Sequence, residues 1–256
     1  MKTIAIANQK GGVGKTTTTV NVAAGLVSLG KRVLCLDFDP QCHLAKYLGH
    51  TYDNSVTITD FIAAKASYMD MPSTEGLIRQ GTAGIDFIPC SLRLSRAETM
   101  LAQAMFRERV LRDILEQIVP DRYDYLLIDC NPSMGVLLTN ALVAADYVLI
   151  PVQTEEFSLD GLEDMVDLIQ MVKKNINSNL EIIGLLPTLT TRTKGSMDVI
   201  RWLHDGYPML VLNAEIGRYA DAPKSVKARK PVIGSKSKLA DQYMSATKEL
   251  LARLED

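Results

Sequence analysis

Residues 9–17 read QKGGVGKTT and place two lysines, three glycines and two hydroxyl side chains in one short stretch. Glycine has no Cβ, so the backbone can turn its N–H groups inward around phosphate oxygens. Lys15 could then reach the β- and γ-phosphates of a nucleotide, and the Thr16 hydroxyl could bind Mg²⁺. Thr17 lies near the N-terminus of a predicted helix, whose dipole favours anions. The stretch therefore predicts a nucleotide site, made by the following residues: Gly11, Gly12, Val13, Gly14, Lys15, Thr16 and Thr17.

Carboxylates end two other apolar stretches. Asp37 and Asp39 flank Phe38 after VLCL, and Asp129 follows YDYLLI. In an open parallel sheet, ligands bind at the carboxyl ends of the strands, where these side chains would meet the glycine loop. Asp129 would hold Mg²⁺ there, and phosphoryl transfer needs such charge neutralisation together with a positioned nucleophile. An N-cap pair before a short helix is the alternative interpretation of Asp37 and Asp39.

Alternating strands and helices must position these groups. Short apolar runs, continuous rather than alternating, predict strands that are covered on both faces. These runs are Thr3–Ala7, Arg32–Leu36, Gly84–Ile88, Tyr125–Ile128, Tyr147–Val152, Ile182–Leu186 and Met209–Leu212. Predicted helices are Lys15–Leu29, Leu94–Ile118, Gly135–Ala144, Leu159–Lys174, Ser196–His204 and Leu239–Leu254, with short helices expected in Thr51–Gly81. We expect one α/β domain over residues 1–256, a doubly wound and mostly parallel sheet flanked by helices.

The segment KGGVGKT at residues 10–16 departs from GxxxxGK[ST], because Gln9 stands at the first glycine position. It resembles the deviant Walker A motif of the ParA/MinD superfamily of P-loop NTPases. VLCLDFDPQ (33–41) and YDYLLIDCNPS (123–133) resemble the two switches of these proteins, and LIPVQTEEFSLDGL (149–162) resembles the segment that follows them. LLPTLTTRT (185–193) and GRYADAP (217–223) resemble the ParA/Soj branch in particular.

The resemblance implies roles for individual residues. Asp39 would orient the attacking water and Asp37 would support the metal shell around Thr16 and Asp129. Lys10 would cross a dimer interface to the phosphates bound by the other subunit, so that ATP joins two protomers and hydrolysis releases them. A solvated surface position is the alternative for Lys10. The implied activity is a slow, partner-stimulated ATPase, with ATP and Mg²⁺ as ligands.

Three departures from the family pattern stand out. Asn131 occupies a position that is usually proline, which loosens the backbone of the second switch. Thr190 and Thr191 stand where an aspartate usually precedes Arg192. Ala214 and Ile216 replace a Pro-x-Asn pattern that helps to hold adenine, so recognition of the base is not predicted.

Residues 213–238 contain seven basic and two acidic side chains, a local charge of +5 in a chain whose net charge is −2. Such a cluster can grip phosphates without reading sequence, although a solvated basic surface is the alternative. Arg192 and Arg218 match positions that resemble DNA-contacting arginines of Soj-like proteins. Because the first predicted strand begins at Thr3, we expect no preceding helix-turn-helix and therefore nonspecific DNA binding. The resemblance also implies a ParB-like centromere-binding protein as partner.

Other function classes find less support. The main alternative is a MinD-like, ATP-gated dimeric switch that positions a protein or membrane cargo without DNA binding. For membrane anchoring, however, the tail after Lys238 has mixed charges and ends acidic. An iron–sulfur reductase would need dimer-bridging cysteines beyond Cys130, and amidotransferase-like ligases would need a substrate site that is not recognisable. With 28 Lys and Arg against 30 Asp and Glu, the chain is not a globally basic nucleic-acid binder.

The predicted location is cytoplasmic, with association to the nucleoid in the ATP state. No apolar run approaches the roughly 20 residues that cross a bilayer, and the N-terminal residues do not resemble a signal peptide. The cysteines, Cys35, Cys42, Cys90 and Cys130, are predicted to be buried thiols of a reducing compartment.

Overall fold

A computed structural model of the protein describes residues 1–51, 53–155 and 160–255. Within these residues, the strands form one sheet in the order β3-β4-β2-β5-β1-β6-β7-β8, parallel throughout except for the pair β3–β4. The strands are β1 Lys2–Ile6, β2 Val33–Phe38, β3 Arg79–Gln80, β4 Asp86–Ile88, β5 Tyr125–Cys130, β6 Tyr147–Gln153, β7 Glu181–Thr190 and β8 Ile216–Gly217.

Helices cover both faces of the sheet. They are α1 Lys15–Ser28, α2 His43–Tyr47, α3 Ile58–Ala66, α4 Leu94–Leu101, α5 Val110–Ile118, α6 Val136–Ala144, α7 Asp160–Asn175, α8 Lys194–Gly206, α9 Asp221–Ala228 and α10 Lys238–Glu255. Successive residues of a strand point to opposite faces, so Leu34 and Leu36 join one apolar cluster while Val33 and Cys35 join the other. The predicted doubly wound, mostly parallel α/β fold is confirmed.

The face that carries α1 is closed by α10. The apolar residues that the tail places at helical spacing, Leu239, Tyr243, Leu250 and Leu254, are all buried in that cluster. Gly25 of α1 allows the two helices to approach, because a Cβ at this position would lie 2.5 Å from Thr247 Oγ1. Among the described residues, no helix is long and apolar enough to span a bilayer.

The predicted helix Leu94–Ile118 is wrong, because the chain breaks it into α4 and α5. Phe106 has a left-handed backbone (φ 54°) and a short 3₁₀ turn, Arg107–Arg109, follows it. Asn140 stabilises this break: its Oδ1 accepts a hydrogen bond from the Leu111 N–H at 2.9 Å, and its Nδ2 donates to the Arg107 carbonyl at 2.7 Å.

The predicted strand Met209–Leu212 is also wrong. It is reduced to an isolated parallel bridge between Val211 and Leu185, and β8 lies further along the chain. In Thr51–Gly81, where short helices were predicted, α3 is followed by β3. Leu159, the predicted first residue of the helix α7, lies outside the described residues, as do residues 156–158 of the motif at 149–162. All of the cysteines are buried, as predicted.

Candidate functional site

The glycine loop joins β1 to α1 at the carboxyl edge of the sheet. Gly12 (φ 77°) and Gly14 (φ 91°) have left-handed backbones that side chains disfavour, and the space that a Cβ would occupy at Gly11, Gly12 and Gly14 is open. Lys15 is 7% exposed and donates from Nζ to the Lys10 carbonyl at 3.0 Å. The loop thus has the shape of an open cradle with an ammonium group at its base.

Strand β7, which is distant in the sequence, supports this loop through a hydrogen bond. Val13 is 1% exposed, and its carbonyl accepts a hydrogen bond from the Thr188 hydroxyl on β7 at 2.8 Å. Thr17 follows the loop in α1, and its carbonyl accepts from Asn21 Nδ2 at 2.8 Å. The residues predicted to bind phosphates, 11–17, therefore lie together at one edge of the sheet.

The predicted carboxylates also meet at this edge. Strands β2 and β5 are neighbours, and their register puts Asp37 directly opposite Asp129. Asp129 accepts hydrogen bonds from the hydroxyl groups of Thr16 at 2.7 Å and Thr19 at 3.3 Å. Asp37 accepts from the backbone N–H groups of Ala45 at 2.8 Å and Asp39 at 3.4 Å, so both of its oxygens are engaged by the chain around it.

Burial raises the pKa of both acids. The pKa of Asp129 rises to about 8, chiefly because the carboxyl is buried and secondly because Asp37 lies beside it. Burial likewise raises the pKa of Asp37 to about 7. Burial lowers the pKa of Lys15, and the nearby charge of Asp129 opposes that effect. A divalent cation bound beside the glycine cradle would favour the ionised form of both acids.

The residues fit a magnesium ion that is held largely by nucleotide oxygens and water. Within the described ranges, no three His, Cys, Asp or Glu side chains come together as a metal site. The Thr16 hydroxyl lies in contact with Asp129, and this pairing of a P-loop hydroxyl and a carboxylate suits Mg²⁺, which retains several water and phosphate ligands. Asp37 fits a supporting position better than a direct ligand, since its oxygens already accept backbone N–H groups.

A cavity of about 520 Å³ opens in front of the loop. Its lining consists of Gly11, Gly12, Gly14, Lys15, Thr16, Thr17, Asp39, Gln41, His43, Lys46, Tyr47, Pro132 and Val226. Asp39 is 9% exposed, and its Oδ1 accepts a hydrogen bond from the Gln41 N–H at 2.9 Å. The acid predicted to orient water thus lines the same cavity as the phosphate loop.

Lys10 lies in the glycine loop, and the two predicted DNA-binding arginines, Arg192 and Arg218, follow β7 and β8. Lys10 Nζ lies 3.7 Å from Glu155 Oε2, and Arg218 Nη2 donates to Glu155 Oε1 at 3.1 Å. Arg192 is exposed after β7, and the Arg218 N–H donates to the carbonyl of Thr190, two residues before Arg192, at 3.1 Å. The structure therefore brings both arginines to the ends of β7 and β8.

The basic side chains of 213–238 are all exposed. Lys224, Lys230 and Lys236 line a cavity of about 800 Å³ together with Ser235 and Ser237. This cavity is separate from the end of β8, where Arg218 lies. The +5 segment is therefore spread over the surface from β8 to the first turn of α10.

The departures from the family pattern have physical consequences. Asn131 is 5% exposed, and its Oδ1 has no hydrogen-bond partner within the described residues. A buried acceptor left unpaired costs roughly 1–3 kcal/mol. Ala214 and Ile216 are buried, at 7% and 2% exposure. Both have hydrocarbon side chains, so neither offers the amide that the usual pattern places near adenine.

Sequence reasoning missed several residues of the site. Thr19 is signalled by the spacing i, i+3 from Thr16, which puts both hydroxyls on one face of α1 beside Asp129. The topology of the sheet brings three further residues to the site, Thr188, Glu155 and Val226. The sequence around each of them does not predict that position.

The comparisons with known proteins agree with this geometry. The sequence model of the AAA domain family matches residues 1–182. The chain is 38% identical to the sporulation initiation inhibitor protein Soj of Bacillus subtilis (strain 168), over 98% of both chains. It is 36% identical to the chromosome partitioning protein ParA of Caulobacter vibrioides, over all of this chain and 96% of that protein. The chain belongs to the ParA/Soj family of partitioning ATPases.

Solved structures extend the likeness. The cobyrinic acid a,c-diamide synthase of Mycobacterium smegmatis, solved with bound ADP and magnesium, superposes with a TM-score of 0.85 at 33% identity, over 100% of this chain and 96% of that one. The cell division ATPase MinD of Pyrococcus furiosus shares the fold, with a TM-score of 0.76 at 23% identity over 98% of each chain. The resemblance of the sequence motifs to ParA/Soj proteins is thus confirmed, and a related structure of this fold carries a nucleotide with magnesium.

Proposed function

We propose that the protein is a slow ATPase whose ATP-bound form dimerises and binds DNA without sequence specificity. Its hydrolysis cycle would drive partitioning of a plasmid, a chromosome origin or a mobile element, stimulated by a ParB-like centromere-binding partner. The observation that carries the proposal is the meeting of the glycine cradle, Lys15, Thr16 and the carboxylates Asp37, Asp39 and Asp129 at one edge of the sheet. Membership of the ParA/Soj family supports the partitioning role.

The proposed roles follow the geometry. The backbone of residues 11–17 and the ammonium group of Lys15 would bind the phosphates of ATP. Mg²⁺ bound by Thr16 and Asp129, with Asp37 in support, would supply charge neutralisation during phosphoryl transfer. Asp39 lines the cavity and would orient the attacking water. Removing one such positioned group typically costs about 10²–10³ in rate.

Lys10, Arg192 and Arg218 are the residues through which ATP would control dimerisation and DNA binding. Lys10 lies at the mouth of the loop with a side chain that is 30% exposed, a position from which it could reach phosphates bound by a second copy. Arg192 and Arg218 would contact DNA phosphates, and pairing two protomers would double the number of such contacts. Because each phosphate contact releases counterions, binding would weaken steeply with salt. The protein would be cytoplasmic and would associate with the nucleoid when it holds ATP.

The test is DNA binding by charge-reversal variants. Binding of a fluorescent random-sequence duplex would be measured with a nonhydrolysable ATP analogue for wild type, Arg192→Glu and Arg218→Glu. We expect each variant to weaken binding about tenfold or more and to reduce the salt slope by about two, since each substitution removes one phosphate contact from both protomers of the dimer. The matched control is Arg201→Glu, an equal charge change at an exposed α8 position paired with Asp198.

The outcome decides between function classes. Equal binding by all three variants would contradict the assignment of Arg192 and Arg218. A wild-type protein that dimerises with ATP but binds no DNA would contradict the partitioning proposal, and would favour an ATP-gated switch for a protein or membrane cargo.

A further inference from the structure

One carboxylate lies between the lysine of the glycine loop and an arginine at the end of β8. The two oxygens of Glu155 face different cations, since Oε2 lies 3.7 Å from Lys10 Nζ and Oε1 accepts from Arg218 Nη2 at 3.1 Å. We call this set, Lys10, Glu155 and Arg218, the Glu155 clasp. It joins the edge of the nucleotide site to the arginines of the proposed DNA surface.

The backbone around Glu155 is fixed. Thr154, the residue before it, donates from its N–H to the Thr188 carbonyl at 3.2 Å. The buried Thr154 hydroxyl pairs with the Ser196 hydroxyl at 2.6 Å. The Glu155 N–H donates to the Gln153 carbonyl at 2.9 Å. The carboxylate is therefore presented from the end of β6 at a defined place.

The backbone partners of Lys10 and Arg218 are fixed as well. The Lys10 N–H donates to Asn8 Oδ1 at 2.9 Å, and its carbonyl accepts from Lys15 Nζ at 3.0 Å. The Arg218 N–H donates to the Thr190 carbonyl. Movement of either cation away from Glu155 is thus a movement of the side chain, and the side chains of Lys10 and Arg218 are 30% and 56% exposed.

We propose that Glu155 is a positioning residue that restrains Lys10 and Arg218 together in the nucleotide-free protomer. The inference rests on the proposed function, in which Lys10 leaves its own subunit for the phosphates of a second copy and Arg218 engages DNA phosphate. A phosphate oxygen would compete with Glu155 for each of these two cations, so both steps weaken a contact to the same carboxylate. Glu155 thereby opposes DNA binding and dimerisation before ATP arrives.

The expected size of the effect follows from exposure. The side chains of Glu155 and Arg218 are 52% and 56% exposed, and that of Lys10 is 30% exposed. Exposed ion pairs contribute little, so removing the carboxylate should change each equilibrium about two- to fivefold. Glu155 would thus shift the ATP concentration at which the protein dimerises, and the affinity for DNA, by only these small factors.

The test is Glu155→Gln, which keeps the shape of the side chain and removes its charge. Two quantities are measured: affinity for random-sequence DNA in the nucleotide-free state, and the concentration of nonhydrolysable ATP analogue that half-dimerises the protein. We expect DNA affinity to rise about two- to fivefold and the half-dimerising concentration to fall by a similar factor. The ratio of DNA affinities with and without the analogue should shrink accordingly.

Two further variants separate the clasp from simpler effects. Asp198→Asn makes the same charge change at an exposed carboxylate on α8 that pairs with an arginine, Arg201, at 3.3 Å. It should leave dimerisation unchanged and alter DNA affinity less than Glu155→Gln does. Glu155→Asp keeps the charge, and should restore values close to those of wild type in both measurements.

Two sets of results would contradict these proposals. If Glu155→Gln matched Asp198→Asn in both measurements, or shifted one equilibrium without the other, the shared restraint would be overturned. If wild type bound no DNA in any nucleotide state, the proposed function would fail in a distinct way. The shift in dimerisation would then still decide whether Glu155 restrains Lys10.

Discussion

At the scale of single residues, the site is a pair of buried acids held by hydroxyls and backbone groups. Asp37 and Asp129 lie opposite each other with raised pKa values. Their partners are the Thr16 and Thr19 hydroxyls on one side and backbone N–H groups on the other. Two buried acids with raised pKa values beside an anion-binding loop are what we expect of a site that binds a cation together with an anion.

The Thr188 hydroxyl should matter for the phosphate loop although it lies 175 residues away in the sequence. Thr188→Val keeps the volume but leaves the buried Val13 carbonyl without its donor, at a cost of about 1–3 kcal/mol. We expect lower thermal stability and a several-fold loss of affinity for ADP with Mg²⁺, measured by calorimetry.

Thr191→Val serves as the control, since this hydroxyl is exposed and pairs with Thr193 rather than with the loop. Unchanged ADP affinity in Thr188→Val would show that β7 does not support the loop.

The position of the loop in the fold was predictable from sequence, because a glycine-rich stretch between an apolar strand and a helix fits a turn at the carboxyl end of that strand. Lys15, Thr16 and the glycines lie where their pattern predicted, and Asp37, Asp39 and Asp129 join them. Glu155 was not predictable as a partner of Lys10 and Arg218, because its two contacts depend on β6, the glycine loop and the end of β8 meeting in space. An exposed Glu carries no local sign of such contacts.

At the scale of elements, the parallel arrangement of the strands brings the residues of the site together. Strands β1, β5 and β2 are adjacent in the sheet, so the loop after β1 and the acids of β2 and β5 arrive at the same edge. Most strands were predictable because continuous apolar runs of this length fit a sheet covered on both faces. The break between α4 and α5 was not, because it depends on the side chain of Asn140 from α6.

The crossing of α1 and α10 depends on Gly25. In Gly25→Ala the new methyl group would lie 2.5–3.0 Å from the side chain of Thr247, which is fully buried. Overpacking of this kind typically costs about 1–3 kcal/mol. We expect a matching decrease in the free energy of unfolding, measured in urea.

A second substitution tests the cause. Thr247→Ala should restore much of the stability when added to Gly25→Ala, because it removes the clashing atoms. If the double variant were no more stable than Gly25→Ala alone, helix contact at this point would not explain the loss.

An ion pair at the opposite edge of the sheet holds β2 beside β5. Asp124 accepts hydrogen bonds from the Arg32 N–H at 2.7 Å and from Arg32 Nη2 at 2.7 Å, and these bonds lower its pKa to about 2. An acid with a depressed pKa stabilises the fold above its unfolded pKa of about 4, and that contribution is lost as the pH falls through about 2. We expect Asp124→Asn to lower stability by less than about 1 kcal/mol at pH 7, because the pair is partly exposed.

The difference between Asp124→Asn and wild type should shrink as the pH is lowered from 4 towards 2, measured by urea unfolding at each pH. Asp121→Asn, an exposed neighbour, is the control. A difference that persisted at pH 2 would exclude the charge of Asp124 as the source of stability.

At the scale of the whole molecule, charge is distributed unevenly. The net charge is −2, while residues 213–238 carry a net charge of +5 and expose all seven of their basic side chains. Because the rest of the chain is correspondingly acidic, DNA would be attracted to one part of the surface and repelled from others. The proposed dimer would bring two such surfaces together and would thereby couple ATP binding to affinity for DNA.

The most direct test of this account is DNA binding by wild-type protein in two nucleotide states. Affinity for a random-sequence duplex would be measured with a nonhydrolysable ATP analogue and with ADP, each over a salt titration, while dimerisation is followed in parallel. The account predicts tight binding with the analogue, steep loss of that binding with salt, and weak binding with ADP. Equal affinity in both states, or no binding by a protein that demonstrably dimerises, would contradict it.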